Sequence, residues 1–366
     1  MQTILYTTSR LLRSGPTLVL YGLVKNLDRS RFRPVILTLS AEKENSLKPD
    51  FEKLGIEIYC LNVSGWKIFV SGAKKYRRLI GKIRPDIIHT NGFRDIVLGA
   101  YAAPKQYFKC VTIHSNWEQD YCLKFGAFVG KICTLLQNWA VKKYQRRIAC
   151  SEMLAGLLNK KYSHIYFDYV NNGVDTDKFY AVKDKTALRR KLHLPQDKKI
   201  IIWAGGFNPV KDPLTMARTI LKIAENEYFF VFCGARGQLL AVCKELLKDR
   251  KDVLFTGYVT NIEEYFRSAD LYVATSLSEG FHLTAYEALA CGMPVVLTHL
   301  GVYNTLKEMN LAKFYTPQDT NALASIIKLF GAENLSCINA VSLDMVQKLF
   351  SMQKIAENYM EIYQEQ

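Results

Sequence analysis

Short apolar, β-branched runs recur along the chain, separated by segments whose apolar positions return every three to four residues. The runs 4–7, 34–39, 56–61, 86–89 and 109–113 predict strands. Their apolar residues are consecutive rather than alternate, as in parallel strands covered on both faces. Ser14-Gly15-Pro16-Thr17 reads as a turn leading into a helix over 18–27, with Pro16 suited to a first helical position. Over 160–191 the pattern weakens and turns polar, with Asn171-Asn172-Gly173 as a turn signal. A second series follows, with strands at 200–203, 229–233, 253–255, 271–274 and 294–297 and helices opening at Pro213, Gly237, Ile262 and Thr284. The stretch 345–363 predicts one amphipathic helix. Two βα series joined by a polar hinge predict an α/β protein of two doubly wound parallel-sheet domains, 1–180 and 181–344, closed by a C-terminal segment 345–366.

Length agrees with two cores: 366 residues, 49% apolar and 23% charged, suit a globular chain with more than one domain. No charge-free run approaches the roughly 20 apolar residues that span a bilayer. The start carries arginines after a short apolar stretch and does not read as a signal peptide, so a cytoplasmic protein is expected. The 9 cysteines form no Cys-x-x-Cys pair and the 6 histidines are dispersed. Free buried thiols are expected, with no disulfide framework and no metal site.

The formal charge of +15 changes the picture more. It gathers at Lys74, Lys75, Arg77, Arg78, Lys82 and Arg84, and again at Lys131, Lys142, Lys143, Arg146 and Arg147, both on helix-like patterns. No nucleic-acid-binding signature accompanies them. A solvated helix face and an anionic membrane surface are the two readings of these clusters.

The densest chemical signal runs from Ser276 to Val296. A strand ends near Ala274, a loop with Glu279 and Gly280 follows, and a helix begins near Thr284. Free amides and the positive end of a helix dipole there make an anion site. Glu287, on the first turn, has the geometry to accept two vicinal hydroxyls. Thr284-x-x-Glu287 is equally a capping box.

This block resembles the E-x7-E signature of the large retaining glycosyltransferase family of GT-B fold, the glycosyl transferases group 1. Arg84 to His89, Val111 to His114, Ile148 to Glu152, Asn172 to Asp175, Ala204 to Lys211, Phe255 to Val259 and Phe350 to Tyr363 resemble further family segments in the expected order. The resemblance implies two Rossmann-like domains facing across a cleft. It matches Glu279 to the acid facing the donor sugar, and Gly280, Phe281, His282 and Leu283 to the loop whose amides meet sugar and phosphate. Glu287 matches the ribose-binding acid, and Lys211 the cation at the donor diphosphate. His114 matches an active-site histidine of the first domain, a hydrogen-bonded core histidine being the bland alternative. Gly15 matches the glycine turn below the phosphates, and Gly205 the second-domain glycine. Tyr258 and Val259 match the lining of the nucleobase pocket. Two positions depart from the pattern: Gly206 stands where an arginine usually follows the glycine, and Pro16 follows Gly15.

The resemblance implies a retaining, metal-independent hexosyltransferase that needs no cofactor. It would move a sugar from a nucleotide-diphosphate donor to a glycan or lipid-linked acceptor of a bacterial surface polysaccharide. The expected location is the inner face of the cytoplasmic membrane, with no nucleic-acid partner. A synthase with a soluble acceptor, and a degenerate nucleotide-sugar-binding protein, are the alternatives.

Overall fold

The computed structural model describes residues 1–225, 227–332 and 337–365. They form two units, Met1–Gly173 with Met352–Gln366, and Val174–Ser351. The first runs β1 (Gln2–Thr8), α1 (Gly15–Lys25), β2 (Phe32–Thr38), α2 (Lys48–Lys53), β3 (Glu57–Cys60), α3 (Ser71–Ile83), β4 (Ile87–Thr90) and α4 (Phe93–Ala102). It continues with β5 (Phe108–Ile113), α5 (Trp117–Phe125), α6 (Ala127–Val141), β6 (Arg146–Ala149), α7 (Glu152–Lys161) and β7 (Asp168–Tyr169). Its seven strands are parallel in the order β3-β2-β1-β4-β5-β6-β7. The chain therefore winds outward from β1, then reverses through β4, and the loops after β1 and β4 diverge at that switch point.

The second unit carries α8 (Thr186–Lys191), β8 (Lys199–Ala204), α9 (Pro213–Ile220), β9 (Tyr228–Cys233), α10 (Leu240–Leu246), β10 (Val253–Gly257), α11 (Ile262–Ser268) and β11 (Leu271–Val273). It ends with α12 (Leu283–Ala290), β12 (Val295–Thr298), α13 (Asn304–Glu308), β13 (Lys313–Tyr315), α14 (Thr320–Ala332) and α15 (Cys337–Leu349). Its parallel sheet has the order β10-β9-β8-β11-β12-β13, which puts the switch point between β8 and β11. Both units thus have the winding of the GT-B fold.

The last helix, α16 (Met352–Gln364), belongs to the first unit. Met352, Ile355, Tyr359 and Tyr363 enter the core of Ile4, Tyr6, Leu23 and Val24. Gly22 of α1 makes this possible, since a Cβ there would sit 2.7 Å from Met352. Tyr363 is hydrogen-bonded to Tyr6 (3.1 Å) and to His89 Nδ1 (2.6 Å).

Several expectations are corrected. The helix expected over 345–363 is two helices, broken at Phe350 and Ser351, where the Val174 amide donates to the Phe350 carbonyl at 2.7 Å. The unit boundary falls after Gly173 rather than at 180. The polar stretch 160–191 is not linker throughout. Within it, Lys185 and Arg189 pair with Asp270 at 2.9 and 2.5 Å, which fastens α8 to the second unit. Arg146 and Arg147 lie on β6, not on a helix. Arg146 pairs with Glu365, and Arg147 donates to the carbonyls of Tyr144 and Tyr166. Lys74, Lys75, Arg77 and Arg78 do share the exposed face of α3.

Candidate functional site

The switch point of the second sheet brings Lys211, after β8, to Glu279, after β11, 68 positions further along the chain. Lys211 Nζ lies 2.5 Å from Glu279 Oε1. The lysine's backbone is anchored independently: its amide donates to Asn208 Oδ1 (3.1 Å), and its carbonyl accepts from Thr275 Oγ1 (2.8 Å), which accepts from Trp203 Nε1 (2.9 Å). Asp212 then turns the chain through a left-handed conformation (φ 44°) and caps α9. This D-P-x-T cap was readable in the sequence and went unused there. Burial would raise the Glu279 carboxyl, but His282 and Lys211, with hydrogen bonds from Lys211 and Ser276, hold it below the usual carboxylate range. Glu279 is therefore an ionised group in a mostly enclosed place.

The loop to α12 is held from beneath by a ring. His282 is buried between Tyr303, hydrogen-bonded to its Nδ1, and Tyr272, 3.1 Å from its Nε2. Tyr272 gives its own proton to Thr284 Oγ1 (2.8 Å), so the Nε2–H donates to the Tyr272 oxygen. Burial lowers the His282 pKa to about 4, the Glu279 charge opposing and the Lys211 charge adding, so the ring is neutral at pH 7. The side chain thus fixes the loop, and only its amide is available to a ligand. Phe281 likewise turns its ring inward, stacked on Tyr286 at 4.6 Å. Among the described residues the amides of Phe281 and His282 have no partner, whereas the Leu283 amide donates to the Phe281 carbonyl at 3.2 Å.

Glu287 is not a capping residue. The N-cap of α12 is His282, with no side-chain cap, and Thr284 is engaged by Tyr272. Among the described residues the Glu287 carboxyl has no hydrogen-bond partner. Burial, then the charges of Glu263 and Asp175, push it up to about 8 against the opposing pull of Lys211. A partly enclosed acid with unfilled acceptors suits a ligand's hydroxyls.

The remaining second-unit residues stand at the same sheet edge. A Cβ on Gly205 would lie 3.5 Å from Lys211 Cγ. Gly234 crosses so close that a Cβ there would meet the Gly205 carbonyl oxygen at 2.0 Å. Tyr258, exposed, and Val259, half-buried, follow β10.

In the first unit, His114 follows β5, with both ring nitrogens buried and without a partner among the described residues. Burial lowers its pKa to about 4. The hydrogen-bonded core histidine is instead His89, between Tyr363 and Thr112 Oγ1 (2.8 Å). Gly15 is the first residue of α1, beside Ser14 and Pro16, which line a cavity of about 610 Å³. Arg10 and Arg94, which sequence reasoning missed, line the same cavity.

The chain matches the family model Glycosyltransferase Family 4 over residues 13–178 and Glycosyl transferases group 1 over residues 198–330. It is 27% identical over 264 residues to the UDP-Gal:alpha-D-GlcNAc-diphosphoundecaprenol alpha-1,3-galactosyltransferase of Escherichia coli, covering 68% of this chain and 66% of that protein. It is 35% identical over 156 residues to the lipopolysaccharide core biosynthesis mannosyltransferase LpsB of Rhizobium meliloti, covering 38% of this chain and 44% of that one. These matches span less than two thirds of either relative. The structure of Anabaena HepE in complex with UDP-glucose superposes with a TM-score of 0.83 at 18% identity, over 100% of both chains.

Proposed function

Because this chain belongs to the glycosyl transferases group 1, with the GT-B fold, we propose that it transfers a sugar from a nucleotide-diphosphate donor to a glycan or lipid-linked acceptor. The observation that carries the reading is the Lys211–Glu279 pair ahead of two amides, with Glu287 one helical turn beyond, neither the amides nor the Glu287 carboxyl having a partner among the described residues. Lys211 and the amides of Phe281 and His282 would receive the diphosphate, supported by the positive end of α12. Glu287 would accept the ribose hydroxyls, Tyr258 and Val259 would flank the base, and Glu279 would face the sugar. Gly205 leaves room beside Lys211 for a phosphate to approach.

The reaction breaks the bond between the sugar's anomeric carbon and the diphosphate oxygen and forms one to an acceptor hydroxyl oxygen. The acceptor proton passes to the departing diphosphate, so attack on the same face retains configuration without a protein nucleophile. Lys211 and the amides stabilise the charge that grows on that diphosphate, a task a metal ion performs in other transferases. His114, neutral and without a partner among the described residues, suits the hydroxyls of the donor sugar, and Gly15 keeps the start of α1 open toward phosphate. The names of the relatives favour a bacterial surface polysaccharide, and the basic face of α3 favours the inner face of the cytoplasmic membrane.

The test is a calorimetric titration of the full chain with UDP, GDP and their sugar conjugates, beside Lys211→Ala. Binding of one nucleotide family, weakened at least tenfold in the variant, is expected. No binding of any nucleotide sugar would sink the reading.

A further inference from the structure

A diphosphate held as a sugar ester carries one negative charge on each phosphate. Lys211 already faces the ionised Glu279 carboxylate at 2.5 Å, so the two charges of that pair largely cancel toward a ligand. The start of α12 adds only about half an elementary charge. A second cation, with no carboxylate of its own, is needed to balance the diphosphate. Arg236, in the loop after β9, stands beside Gly206 at the same sheet edge.

Backbone pairing fixes Arg236 in that place. The Gly205 amide donates to the Cys233 carbonyl (3.0 Å), the Phe207 amide to the Arg236 carbonyl (2.7 Å) and the Leu239 amide to the Phe207 carbonyl (3.0 Å). The Gly234 amide donates to the Gly257 carbonyl at 3.1 Å, which ties the same loop to the end of β10. The approach is so close that a Cβ on Gly237 would meet the Phe207 carbonyl oxygen at 2.0 Å. The Arg236 side chain, in contrast, is exposed, and among the described residues its guanidinium has neither an ion-pair nor a hydrogen-bond partner. It is an unopposed charge on a rigid base.

The space beside it holds two more unused donors. The Gly206 amide has no partner among the described residues. Asn208 spends its Oδ1 on the Lys211 amide (3.1 Å), and its Nδ2 faces Gly206 without an acceptor among the described residues. A Cβ on Gly206 would lie 3.0 Å from that nitrogen and 3.7 Å from the Arg236 carbonyl oxygen. A backbone amide, a side-chain amide and the root of an arginine therefore surround a position that glycine leaves open. Strand order says which part of a nucleotide meets it. β9 lies between β10, followed by Tyr258 and Val259, and β8, followed by Lys211. The Lys211 stem lies beside Gly205, and the Gly206 α-carbon is the next one, about 3.8 Å on.

We propose that Arg236, with the Gly206 amide and Asn208 Nδ2, binds the phosphate nearer the nucleoside. Lys211 and the start of α12 are thereby left to the phosphate nearer the sugar, where charge grows as the glycosidic bond breaks. The guanidinium fork suits two oxygens of one phosphate, which the single ammonium of Lys211 does not. This assignment rests on the transferase reading, with the base at Tyr258 and the sugar at Glu279, and adds three binding residues to it.

The test titrates the full chain calorimetrically with UMP, UDP, GMP and GDP, and reads uridine and guanosine by competition. In the series that binds, Arg236→Gln should weaken the monophosphate and the diphosphate alike, each at least tenfold, and leave the nucleoside unchanged. Lys211→Ala should weaken the diphosphate at least tenfold and the monophosphate less than threefold. Gly206→Ala keeps every charge, sets a methyl against Asn208 Nδ2 and should weaken the monophosphate at least threefold. An Arg236→Gln chain that binds the monophosphate like the wild type overturns the assignment. So does an equal loss for nucleoside and monophosphate, which would place the arginine on the base. Unchanged monophosphate affinity in Gly206→Ala would reduce Arg236 to a distant field and overturn the cradle. A wild-type chain that binds none of the nucleotides sinks the donor reading itself, whereas an Arg236→Gln chain with wild-type affinities leaves that reading standing.

Discussion

Replacing Glu279 by glutamine should tighten nucleotide binding while suppressing transfer. Lys211 lies 2.5 Å from a carboxylate that is only 10% exposed. A hydrogen bond between charged groups contributes on the order of 1.5–3 kcal/mol. An incoming diphosphate competes for the same ammonium and meets the carboxylate's repulsion. Glutamine preserves the shape and still accepts from Lys211, but a neutral partner is roughly half as strong. The variant therefore removes about 1 kcal/mol of competition, equivalent to roughly fivefold in affinity for UDP or GDP. Transfer should fall by a factor on the order of 10²–10³, the scale for losing a group aimed at developing charge. Calorimetry gives the affinity and a nucleotide-release assay gives turnover. Because Glu279 is held below the usual carboxylate range, the affinity difference should persist from about pH 6 to about pH 9. Weaker nucleotide binding with unchanged turnover would refute the competition argument.

Above the raised pKa, at about pH 9, where the carboxyl is ionised, Glu287→Gln should weaken nucleotide binding by a factor that reflects about 1.5–3 kcal/mol, measured by calorimetry; an unchanged affinity there removes the ribose role, since no capping function confuses the result. The same variant tests the raised acid: a carboxyl at about 8 in the folded state and near its model value of 4.5 unfolded keeps its proton longer when folded. Stability is then lost as pH rises between those values, and Glu287→Gln should flatten the decline of Tm from pH 5 to about 8. Transfer should survive excess EDTA, because Lys211 and the amides before α12 supply the positive charge; full loss restored by Mn²⁺ or Mg²⁺ would overturn that mechanism. His114→Ala should lower turnover and leave nucleotide affinity nearly unchanged, as the nucleotide site proposed above lies in the second unit; normal turnover would make the histidine structural.

The central strands were legible because a parallel strand buried on both faces is a run of β-branched and aromatic residues, and 4–7 or 229–233 have no other reading. The Glu279–Glu287 spacing was legible for a similar reason, since chain geometry alone sets two acids on one loop and helix start. Elements at the sheet margins were not. β6 opens with Arg146 and Arg147, and β7 and β13 have only two and three residues, too few for a period to show. Whether Glu287 caps its helix also depended on Tyr272 and Tyr303, which position His282 as the N-cap from distant strands and loops. The break at Phe350 and Ser351 came from pairing with Val174, a partner far away in the chain. Arg10 and Arg94 share a cavity only because strand order reverses between β1 and β4. Local pattern thus determined which segments are strands and which loop carries the acids. Tertiary structure decided which charges are paired and which amides are left open, because those depend on contacts between residues that only the sheet order brings together.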